Sequence, residues 1–278
     1  MKAAVISGGG AAGAYTVGVV SRLQPDYDFI SGTSTGALMA PSILLKQFDR
    51  LKTAYTNVTN KDIYSWEPFN SKGHVKLWNI VWRQLTQKNT LGDTTAMKKL
   101  IQQFFTLEDY LKIQDLGKEF VANLAETNYY PAKVVSVSSK QVSYREMVNA
   151  MWASSNVPFL MSQYKEGGNE FCDGGHLQLY SVEPAIKRGY KDIDLYIHRI
   201  NKTPYYRGEI KDLLHNAQRT FAILTERLEY NCLIENTRLA HDYNATLNTN
   251  WLPGAINGSF LNFNTSIMKT WYELGYNM

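Results

Sequence analysis

Short apolar segments alternate with amphipathic ones along most of the chain. The short segments, typical of strands buried in a parallel sheet, are residues 3–7, 27–31, 119–125, 133–138 and 192–197. The segments with helical spacing are residues 11–23, 35 to about 52, 94–105, 144–152 and 182–188. We expect Pro41 to kink the second of these helices or to limit its first turns. The alternation predicts an α/β fold, with a mostly parallel central sheet flanked by helices.

Residues 57–91 depart from this alternation because they are rich in aromatic side chains, namely Tyr64, Trp66, Phe69, Trp78 and Trp82. In one interpretation these side chains pack in the core. In the other they form a lid or a membrane-contact surface, since tryptophan is favoured at lipid interfaces. Positive side chains that suit an anionic lipid surface lie nearby, namely Lys72, His74, Lys76 and Arg83. The spacing of Trp78 and Trp82 on one helical face favours the core.

The C-terminal third of the sequence has a different pattern from the rest. Residues 209–245 predict one long helix or a helical pair, and we expect this part to begin in the region around Pro204. No segment has the composition of a linker. We therefore expect a single domain over residues 1–278, with a catalytic core over about 1–200 and a helical part over about 205–278.

Composition and charge narrow the class of protein. Of 278 residues, 44% are hydrophobic and 19% are charged, which predicts a packed core. The longest nearly apolar run, residues 37–45, is too short to span a bilayer. A net charge of +4 suits contact with an anionic membrane but does not indicate nucleic-acid binding. The oligomeric state stays open.

The cysteines and the first residues indicate the cellular compartment in which the protein is expected. Cys172 and Cys232 are too few for a disulfide scaffold or a four-cysteine metal site, and they are typical of reduced core thiols. The apolar run over residues 3–6 is too short for the core of a signal peptide. We expect a cytoplasmic protein that is able to associate with a membrane surface, without a signal peptide, a transmembrane segment or a metal.

The first motif, Gly8-Gly9-Gly10-Ala11-Ala12-Gly13, has two interpretations. A dinucleotide-binding motif requires an acidic residue at the end of the second strand, about 20 residues after the glycines. Asp26 and Asp28 lie at the beginning of that strand instead, and no Gly-Lys-Ser/Thr follows for a phosphate loop. The other interpretation is an anion-binding turn, in which the amides of Gly8, Gly9 and Gly10 point at a developing oxyanion.

The second strand is followed by Gly32-Thr33-Ser34-Thr35-Gly36, which has the spacing of a nucleophile elbow. In such an elbow the serine lies on a sharp turn between a strand and a helix. The helix N-terminus, including the amide of Thr35, favours developing negative charge. Because parallel strands end at the same edge of the sheet, the glycine loop and Ser34 are expected to face each other.

A serine nucleophile needs a base, and the sequence offers an aspartate. None of the histidines, at positions 74, 176, 198, 215 and 241, lies in the late loop expected of an ordinary α/β-hydrolase. Asp173-Gly174-Gly175 instead places a carboxylate at the end of a predicted strand. His176 is a weaker candidate for a triad member. Cys172 should face the opposite side of the strand from Asp173.

In this order, the three motifs resemble the patatin-like phospholipase family. Two weaker likenesses, residues 89–94 and the Ala-Ser-x-x-x-Pro pattern of residues 153–158, extend the resemblance over about residues 1–200. The sequence departs from the family at Ala12, where the family often carries Arg or Lys. The missing positive charge affects which lipid headgroup we expect the protein to prefer.

The resemblance implies a three-layer patatin-like fold and a serine lipid acyl hydrolase of the phospholipase A or lysophospholipase type. It implies a Ser34–Asp173 dyad, an acyl-enzyme, and no cofactor. The oxyanion hole would comprise Gly8, Gly9, Gly10 and Thr35, and the supporting glycines are Gly13, Gly32, Gly36, Gly174 and Gly175. Alternatives that stay open are a soluble carboxylesterase or thioesterase, a nucleotide-binding module that uses the glycine loop, and a catalytically idle adaptor.

Overall fold

The computed structural model describes residues 1–68, 76–200, 213–256, 261 and 263–278. Its strands are β1 (Ala3–Ile6), β2 (Phe29–Thr33), β3 (Glu119–Glu126), β4 (Lys133–Ser138), β5 (Tyr164–Glu166), β6 (Asn169–Asp173), β7 (Asp192–Ile200) and β8 (Thr246–Leu252). The predicted strands are all present. β5 and β8 were not predicted from the sequence, and β6 was predicted only at its end.

Eleven α-helices accompany these strands in the described residues. They are α1 (Gly13–Leu23), α2 (Thr35–Leu44), α3 (Phe48–Asn57), α4 (Asn60–Ile63), α5 (Leu77–Leu85), α6 (Thr95–Phe104), α7 (Leu107–Asp115), α8 (Tyr144–Ser154), α9 (Glu183–Lys187), α10 (Leu213–Asp242) and α11 (Thr265–Tyr276). Short 3-10 turns at Gly10–Ala12 and Gly174–His176 precede α1 and follow β6. None of the helices in the described ranges has both the length and the apolarity needed to cross a bilayer.

The described strands form one sheet in the order β5-β6-β3-β2-β1-β7-β8, and β4 pairs with β3 in addition. β3, β2, β1, β7 and β8 run parallel to one another, but β4 and β6 are antiparallel to β3, and β5 is antiparallel to β6. The sheet is therefore mixed, and the prediction of a mostly parallel sheet is wrong.

Short connections explain two of the three antiparallel pairs. The segment between β3 and β4, residues 127–132, is too short for the crossover that parallel strands need. β5 and β6 are joined by Gly167 and Gly168, whose φ angles of 58° and 84° suit a tight hairpin turn. This glycine pair was a hairpin signal in the sequence.

Helices cover both faces of the sheet, as predicted. Alternate residues of β1 point to opposite faces: Ala4 and Ile6 belong to a core shared with α1, α2, α8 and α11, whereas Ala3 and Val5 belong to a core shared with α9 and α10. Both cores are closed to solvent at β1, which has no exposed residue. The start of the chain is thus the centre of the sheet, between β2 and β7.

The helix predicted from residue 35 to about 52 is two helices, α2 and α3. Pro41 lies inside α2 and does not end it. The break comes at Lys46, whose φ of 56° reverses the chain. The amides of Lys46 and Gln47 then donate to the carbonyl oxygens of Ile43 and Ser42 at 3.1 and 2.8 Å, which satisfies the end of α2.

The C-terminal part contains the predicted long helix, α10, which has 30 residues. It is not only helical, because β8 follows α10 and extends the sheet by pairing in parallel with β7. The predicted start of this part near Pro204 lies outside the described residues.

The aromatic region contains a further difference from the sequence prediction. Trp78 and Trp82 lie on α5 and are 81% and 57% exposed, so their predicted position in the core is wrong. Their common helical face points to solvent. Phe69, Lys72 and His74 lie outside the described residues.

Candidate active site

Ser34 lies on the turn between β2 and α2, and its backbone adopts φ 55° and ψ −124°. This conformation is unfavourable for a residue with a Cβ and costs on the order of 1–3 kcal/mol, so the surrounding structure must hold it. The side chain is placed at the N-terminus of α2. Such a turn is the geometry that a nucleophile elbow requires.

Close backbone packing holds this turn. A Cβ on Gly36 would lie 2.2 Å from the carbonyl oxygen of Ile6, and a Cβ on Gly32 would lie 2.5 Å from the amide nitrogen of Ala37. Only glycine fits at either position, because the atoms in the way belong to the backbone of β1 and α2. The two glycines of the motif therefore let β2, α2 and β1 approach closely enough to fix the turn.

A serine from α8 also braces the elbow. The Ser34 amide donates a hydrogen bond of 2.9 Å to Oγ of Ser154, and this hydroxyl donates to the carbonyl oxygen of Asn123 at 2.6 Å. The Asn123 side chain in turn donates to the carbonyl oxygen of Gly32 at 3.1 Å. β2, β3 and the end of α8 are thus linked directly behind the nucleophile.

Strand pairing brings Asp173 to the elbow. β2 pairs with β3 up to the partners Thr33 and Asn123, and the next residue of β3, Leu124, pairs with Asp173. Since β4 occupies the other edge of β3 over the same residues, β6 continues the edge on which β2 lies. The C-terminal ends of β2 and β6 therefore meet head-on. This register places Ser34, which follows β2, next to Asp173, which ends β6.

Asp173 is 5% exposed, and this burial raises the pKa of its carboxyl above the ordinary value. Smaller effects oppose burial: the charges of His176 and Arg199, a hydrogen bond of 2.8 Å from the amide of Gly175, and the nearby side chain of Ser34. The Ser34 hydroxyl is thus a polar neighbour of the carboxylate. A carboxylate with a raised pKa is a stronger base for that hydroxyl.

The two weaker sequence likenesses meet behind Asp173. The amide of Asp173 donates to the carbonyl oxygen of Asn156 at 2.9 Å, and Thr94 donates to the Asn156 side chain at 2.5 Å. The indole of Trp152 donates to the carbonyl oxygen of Thr94 at 2.9 Å. Residues 89–94 and 153–159 therefore position the carboxylate through its backbone.

The glycine loop lies beside Ser34, but its amides are not equivalent. A Cβ on Gly8 would lie 3.3 Å from Cβ of Ser34, so the loop and the elbow are neighbours. The Gly8 amide donates to the carbonyl oxygen of Leu179 at 3.2 Å. Within the described ranges, the amides of Gly9 and Gly10 have no such backbone acceptor. The amide of Thr35 belongs to the first turn of α2, whose amides lack intrahelical acceptors.

His198, which sequence reasoning left without a role, supports this loop from behind. Its Nδ1 lies 2.9 Å from the carbonyl oxygen of Ser7 and its Nε2 lies 2.8 Å from the hydroxyl of Thr16. Because a carbonyl only accepts, Nδ1 carries the proton and Nε2 accepts from Thr16. Burial lowers the pKa of His198 to about 4, so the ring is neutral at physiological pH. A Cβ on Gly9 would lie 2.2 Å from this side chain.

Three other neighbours of the site were missed in the sequence, namely Ser154, Tyr55 and Arg199. The Tyr55 hydroxyl is hydrogen-bonded to the Thr35 hydroxyl and also donates to the Thr35 carbonyl oxygen at 3.2 Å. Arg199 pairs with Glu229 of α10. Only Ser154 lay in a segment that the sequence had singled out. Arg199 and His198 share one detectable signal, a polar pair near the end of a strand next to β1.

The remaining predicted residues have defined positions. Gly13 begins α1 and Gly174 packs against the carbonyl oxygen of Asn123. His176 lies in the turn after Asp173, and its buried Nδ1 has no hydrogen-bond partner in the described part of the chain. Ala12 is fully buried in the core, so the glycine loop supplies no positive charge to the site, whereas Arg199 lines the cavity.

A cavity of about 610 Å³ lies beside Ser34 and Asp173 and extends into the core shared by α2, α3, α6 and α8. The polar end is lined by Gly8, Gly9, Gly10, Ser34, Thr35, Asp173, Gly175, His176 and Arg199. The other end is lined by apolar side chains, including Leu38, Leu51, Ile63, Met97, Ile101, Phe105, Met151, Met161, Phe263 and Met268. Leu224 and Leu228 of α10 also line it. This shape accommodates a molecule with one polar reacting group and a long apolar part.

The geometry gives little support to the nucleotide-binding interpretation. Asp26 pairs with Lys46 and Lys118, and Asp28 accepts from the amide of Lys2, so both acids are engaged at the opposite end of β2. In the described ranges, no group of three or more His, Cys, Asp or Glu side chains is arranged to hold a metal ion.

Among proteins of known structure, the chain is similar to VipD from Legionella pneumophila, with a TM-score of 0.51 and 13% sequence identity. The alignment covers 99% of this chain and 65% of the VipD chain, so the present chain spans about two thirds of that protein's length. The likeness shows a common fold, a curled mixed sheet flanked by helices. No curated protein sequence matches the chain.

The family model of patatin-like phospholipases, which are lipid acyl hydrolases, matches residues 4–186. This match covers more than half of the chain and all three motifs. It confirms the resemblance seen in the sequence, and we conclude that the chain belongs to the patatin-like phospholipase family.

Proposed function

We propose that this protein hydrolyses the carboxylic esters of phospholipids, as a phospholipase A or lysophospholipase, with Ser34 as nucleophile and Asp173 as base. The observation that carries the proposal is the meeting of the strained Ser34 turn and a buried carboxylate in the wall of a largely apolar cavity. Family membership supports lipid acyl hydrolysis in general, and the geometry supports the finer assignment.

In the proposed first step, Oγ of Ser34 attacks the ester carbonyl carbon while Asp173 accepts the hydroxyl proton. The carbonyl oxygen becomes an oxyanion, for which the amides of Gly9, Gly10 and Thr35 are the best placed donors. Gly8 was also predicted as a donor, but its amide is engaged by Leu179. We therefore assign Gly8 to the wall of the site beside Ser34.

The tetrahedral intermediate then breaks the bond to the leaving alcohol, which takes the proton from Asp173. Asp173 next removes a proton from a water molecule, which attacks the acyl-enzyme. The bond between the acyl carbon and Oγ of Ser34 then breaks, Oγ takes the proton back from Asp173, and the fatty acid is released. Burial supports both proton transfers, because it raises the pKa of Asp173 towards the range in which a carboxylate accepts protons readily. Removal of one oxyanion donor would lower the rate on the order of 10²–10³-fold.

The apolar end of the cavity is the proposed site for the acyl chain. Each buried methylene contributes about 0.8 kcal/mol, so longer chains should react with higher kcat/KM until the cavity is full. Arg199 lies at the polar end, where a cation suits an anionic headgroup or leaving group. Membrane phospholipids are insoluble, so the enzyme would act as a peripheral protein at a bilayer surface.

We also infer that the whole chain is one domain. β8 completes the sheet beside β7, and α11 packs in the same core as α1. Leu224 and Leu228 of α10 line the cavity itself. A fragment that ends near residue 200 would lack these parts.

The test is mass-spectrometric mapping of a fluorophosphonate adduct, together with fatty-acid release from phospholipid vesicles. We expect the adduct on Ser34, and we expect Ser34→Ala to abolish both labelling and release. The control is Ser42→Ala, which removes another serine that lines the cavity and should keep both. Unchanged release by Ser34→Ala would exclude the proposal, and absence of labelling in the wild-type chain would favour an idle adaptor.

The same assay separates phospholipid hydrolysis from a soluble esterase or thioesterase. A phospholipase should release fatty acid from vesicles and from lysophospholipid. An enzyme that cleaves only short nitrophenyl esters or acyl thioesters would keep Ser34 as nucleophile but contradict the proposed substrate.

A further inference from the structure

Helix α5 presents an apolar face to solvent. Trp78 is 81% exposed, Trp82 57% and Leu85 74%, and the three positions follow helical spacing. An exposed tryptophan pair on one face is costly in water and requires a physical reason. Two more exposed aromatic side chains, Trp66 and Phe159, lie close to this helix. We call Trp66, Trp78, Trp82, Leu85 and Phe159 the α5 surface.

Hydrogen bonds to residues 90–93 hold the parts of this surface together. Arg83 on α5 donates to the carbonyl oxygens of Thr90 and Gly92 at 2.6 and 3.0 Å. Residues 90–93 are also bonded to the other two aromatic residues. The amide of Leu91 donates to the carbonyl oxygen of Phe159 at 2.9 Å. The amide of Asp93 donates to the carbonyl oxygen of Trp66 at 3.0 Å. The α5 surface is therefore one connected feature.

Phe159 is held in an unusual conformation. Its φ is 69°, a backbone region that a bulky residue rarely adopts, and its side chain is 65% exposed. The fold thus maintains a strained backbone that leaves an aromatic ring in solvent. Such strain persists where the surrounding structure imposes it and is often found at functional positions.

The α5 surface adjoins the apolar end of the cavity. Ile63 and Met161 line that end, and they lie three and two residues along the chain from Trp66 and Phe159. The same two segments therefore contribute to the cavity wall and to the α5 surface. A bilayer that contacts this surface would lie next to the part of the cavity proposed for an acyl chain.

The charge of this region indicates which surface it would contact. Between Glu67 and Asp93 the sequence has no acidic residue and four basic ones, Lys72, Lys76, Arg83 and Lys88. Helix α7 has a pair of exposed leucines, Leu107 and Leu111, at the same spacing as the tryptophans, but it also carries acidic side chains. Tryptophan with surrounding positive charge is the combination favoured at an anionic lipid interface.

We propose that the α5 surface docks on a bilayer that contains anionic phospholipid, with Trp78 and Trp82 inserted at the headgroup level. This inference deepens the proposed function and rests on it for the substrate in the bilayer. Docking would bring the apolar end of the cavity close to the lipid that supplies the acyl chain.

The test measures binding of the full chain with Ser34→Ala, so that hydrolysis does not alter the vesicles. Sedimentation with phosphatidylcholine–phosphatidylglycerol vesicles should show binding, and vesicles of phosphatidylcholine alone should bind less. Addition of Trp78→Ala and Trp82→Ala should lower the partition coefficient by at least about tenfold, since two apolar side chains lose their burial. Raising the salt from about 0.1 M to about 1 M should also weaken binding, because the Debye length falls from about 10 Å to about 3 Å.

The matched control is Leu107→Ala with Leu111→Ala, which removes two exposed apolar side chains at the same spacing and should keep binding. A second measurement needs no further variant: brominated lipids should quench tryptophan fluorescence in the Ser34→Ala chain. No binding to anionic vesicles, or equal binding by the tryptophan variant, would overturn the proposal. So would a dimer that Trp78→Ala and Trp82→Ala dissociate, since the surface would then bind a second copy.

This outcome is separable from that of the proposed function. Cleavage of a soluble short-chain ester by the wild-type chain tests Ser34 chemistry without a membrane. Docking can therefore fail while hydrolysis is present, and hydrolysis can fail while the Ser34→Ala chain still binds vesicles.

Discussion

The two proposed catalytic groups lie in different parts of the sheet and are held in different ways. Ser34 follows β2 in the parallel part, where the backbones of β1, β2 and α2 leave space only for glycine at positions 32 and 36. Asp173 ends β6 in the antiparallel part, where pairing with β3 and the Asn156 carbonyl position its backbone. The hydroxyl thus depends on local backbone packing, and the carboxylate depends on contacts between distant segments.

This difference predicts different consequences of mutation. Changes around Ser34 should affect folding, because the strained turn is built from buried backbone. Changes at Asp173 itself should affect the reaction and leave the fold intact, because a buried charge is costly to the folded state.

The largest expected effect is on the reaction. Asp173→Asn keeps the shape of the side chain but removes the base, so turnover should fall by about 10²–10⁴-fold. Fatty-acid release from vesicles measures it. Asp194→Asn, at another buried aspartate that is bonded to Tyr27 and Lys2, should retain turnover. Comparable activity of Asp173→Asn and the wild-type chain would show that Asp173 is not the base.

The next effect is on stability at the elbow. Gly36→Ala places a Cβ against the carbonyl oxygen of Ile6, and we expect the free energy of unfolding to fall by about 3 kcal/mol. Urea denaturation followed by circular dichroism measures it. Gly254→Ala is the control: a Cβ there has no neighbour within 4 Å, so the change should stay within about 0.5 kcal/mol. Equal effects of the two substitutions would contradict the backbone argument.

A smaller effect is expected at the brace of the elbow. Ser154→Ala leaves the buried amide of Ser34 without its acceptor, which should lower the free energy of unfolding by about 1–3 kcal/mol and also reduce turnover. Ser155→Ala removes the neighbouring hydroxyl, which is bonded only within its own helix turn to the carbonyl oxygen of Met151. It should cost less on both measures, and a larger loss for Ser155→Ala would reverse the assignment of the brace.

The smallest effect is the pH dependence of stability at Asp173. Burial raises its pKa in the folded state above the ordinary 3.8, so the folded protein binds more protons than the unfolded chain as the pH rises through 3.8. Ionised Asp173 therefore destabilises the fold at neutral pH, and Asp173→Asn should be the more stable protein there.

The difference between the melting temperatures of Asp173→Asn and the wild-type chain should shrink as the pH falls from neutral below 3.8. As the pH falls, turnover should also fall, because Asp173 becomes protonated. This loss should occur at a higher pH than the ordinary pKa of aspartate would give. A difference in melting temperature that does not change with pH would contradict the raised pKa.

Much of the parallel half of the molecule was predictable. β1, β2, β3 and β7 are short apolar runs, and the motif at residues 32–36 has its glycines at fixed positions because the turn requires them. These signals are local, so they can be recognised in the sequence before the fold is known. The family resemblance depended on the same local motifs.

The antiparallel half was less predictable. β5 has three residues, and its direction is set by the hairpin at Gly167 and Gly168 and by pairing with β6. The roles of Ser154, Asn156 and His198 could not be inferred from the sequence, because each acts on a backbone group far away along the chain. The exposure of Trp78 and Trp82 was also missed, because helical spacing shows that two residues share a face but not what that face contacts.

By itself, the sequence determined the chemistry that is available: a serine between glycines, a glycine-rich turn before it and an aspartate at the end of a strand. Local backbone requirements restrict residue choice strongly enough to be visible in a single sequence. Only the tertiary structure decided that β6 runs antiparallel to β3 and so brings Asp173 to Ser34, that the Gly8 amide is engaged, and that α5 faces solvent. Those outcomes depend on strand pairing and burial between distant segments, which no single segment encodes.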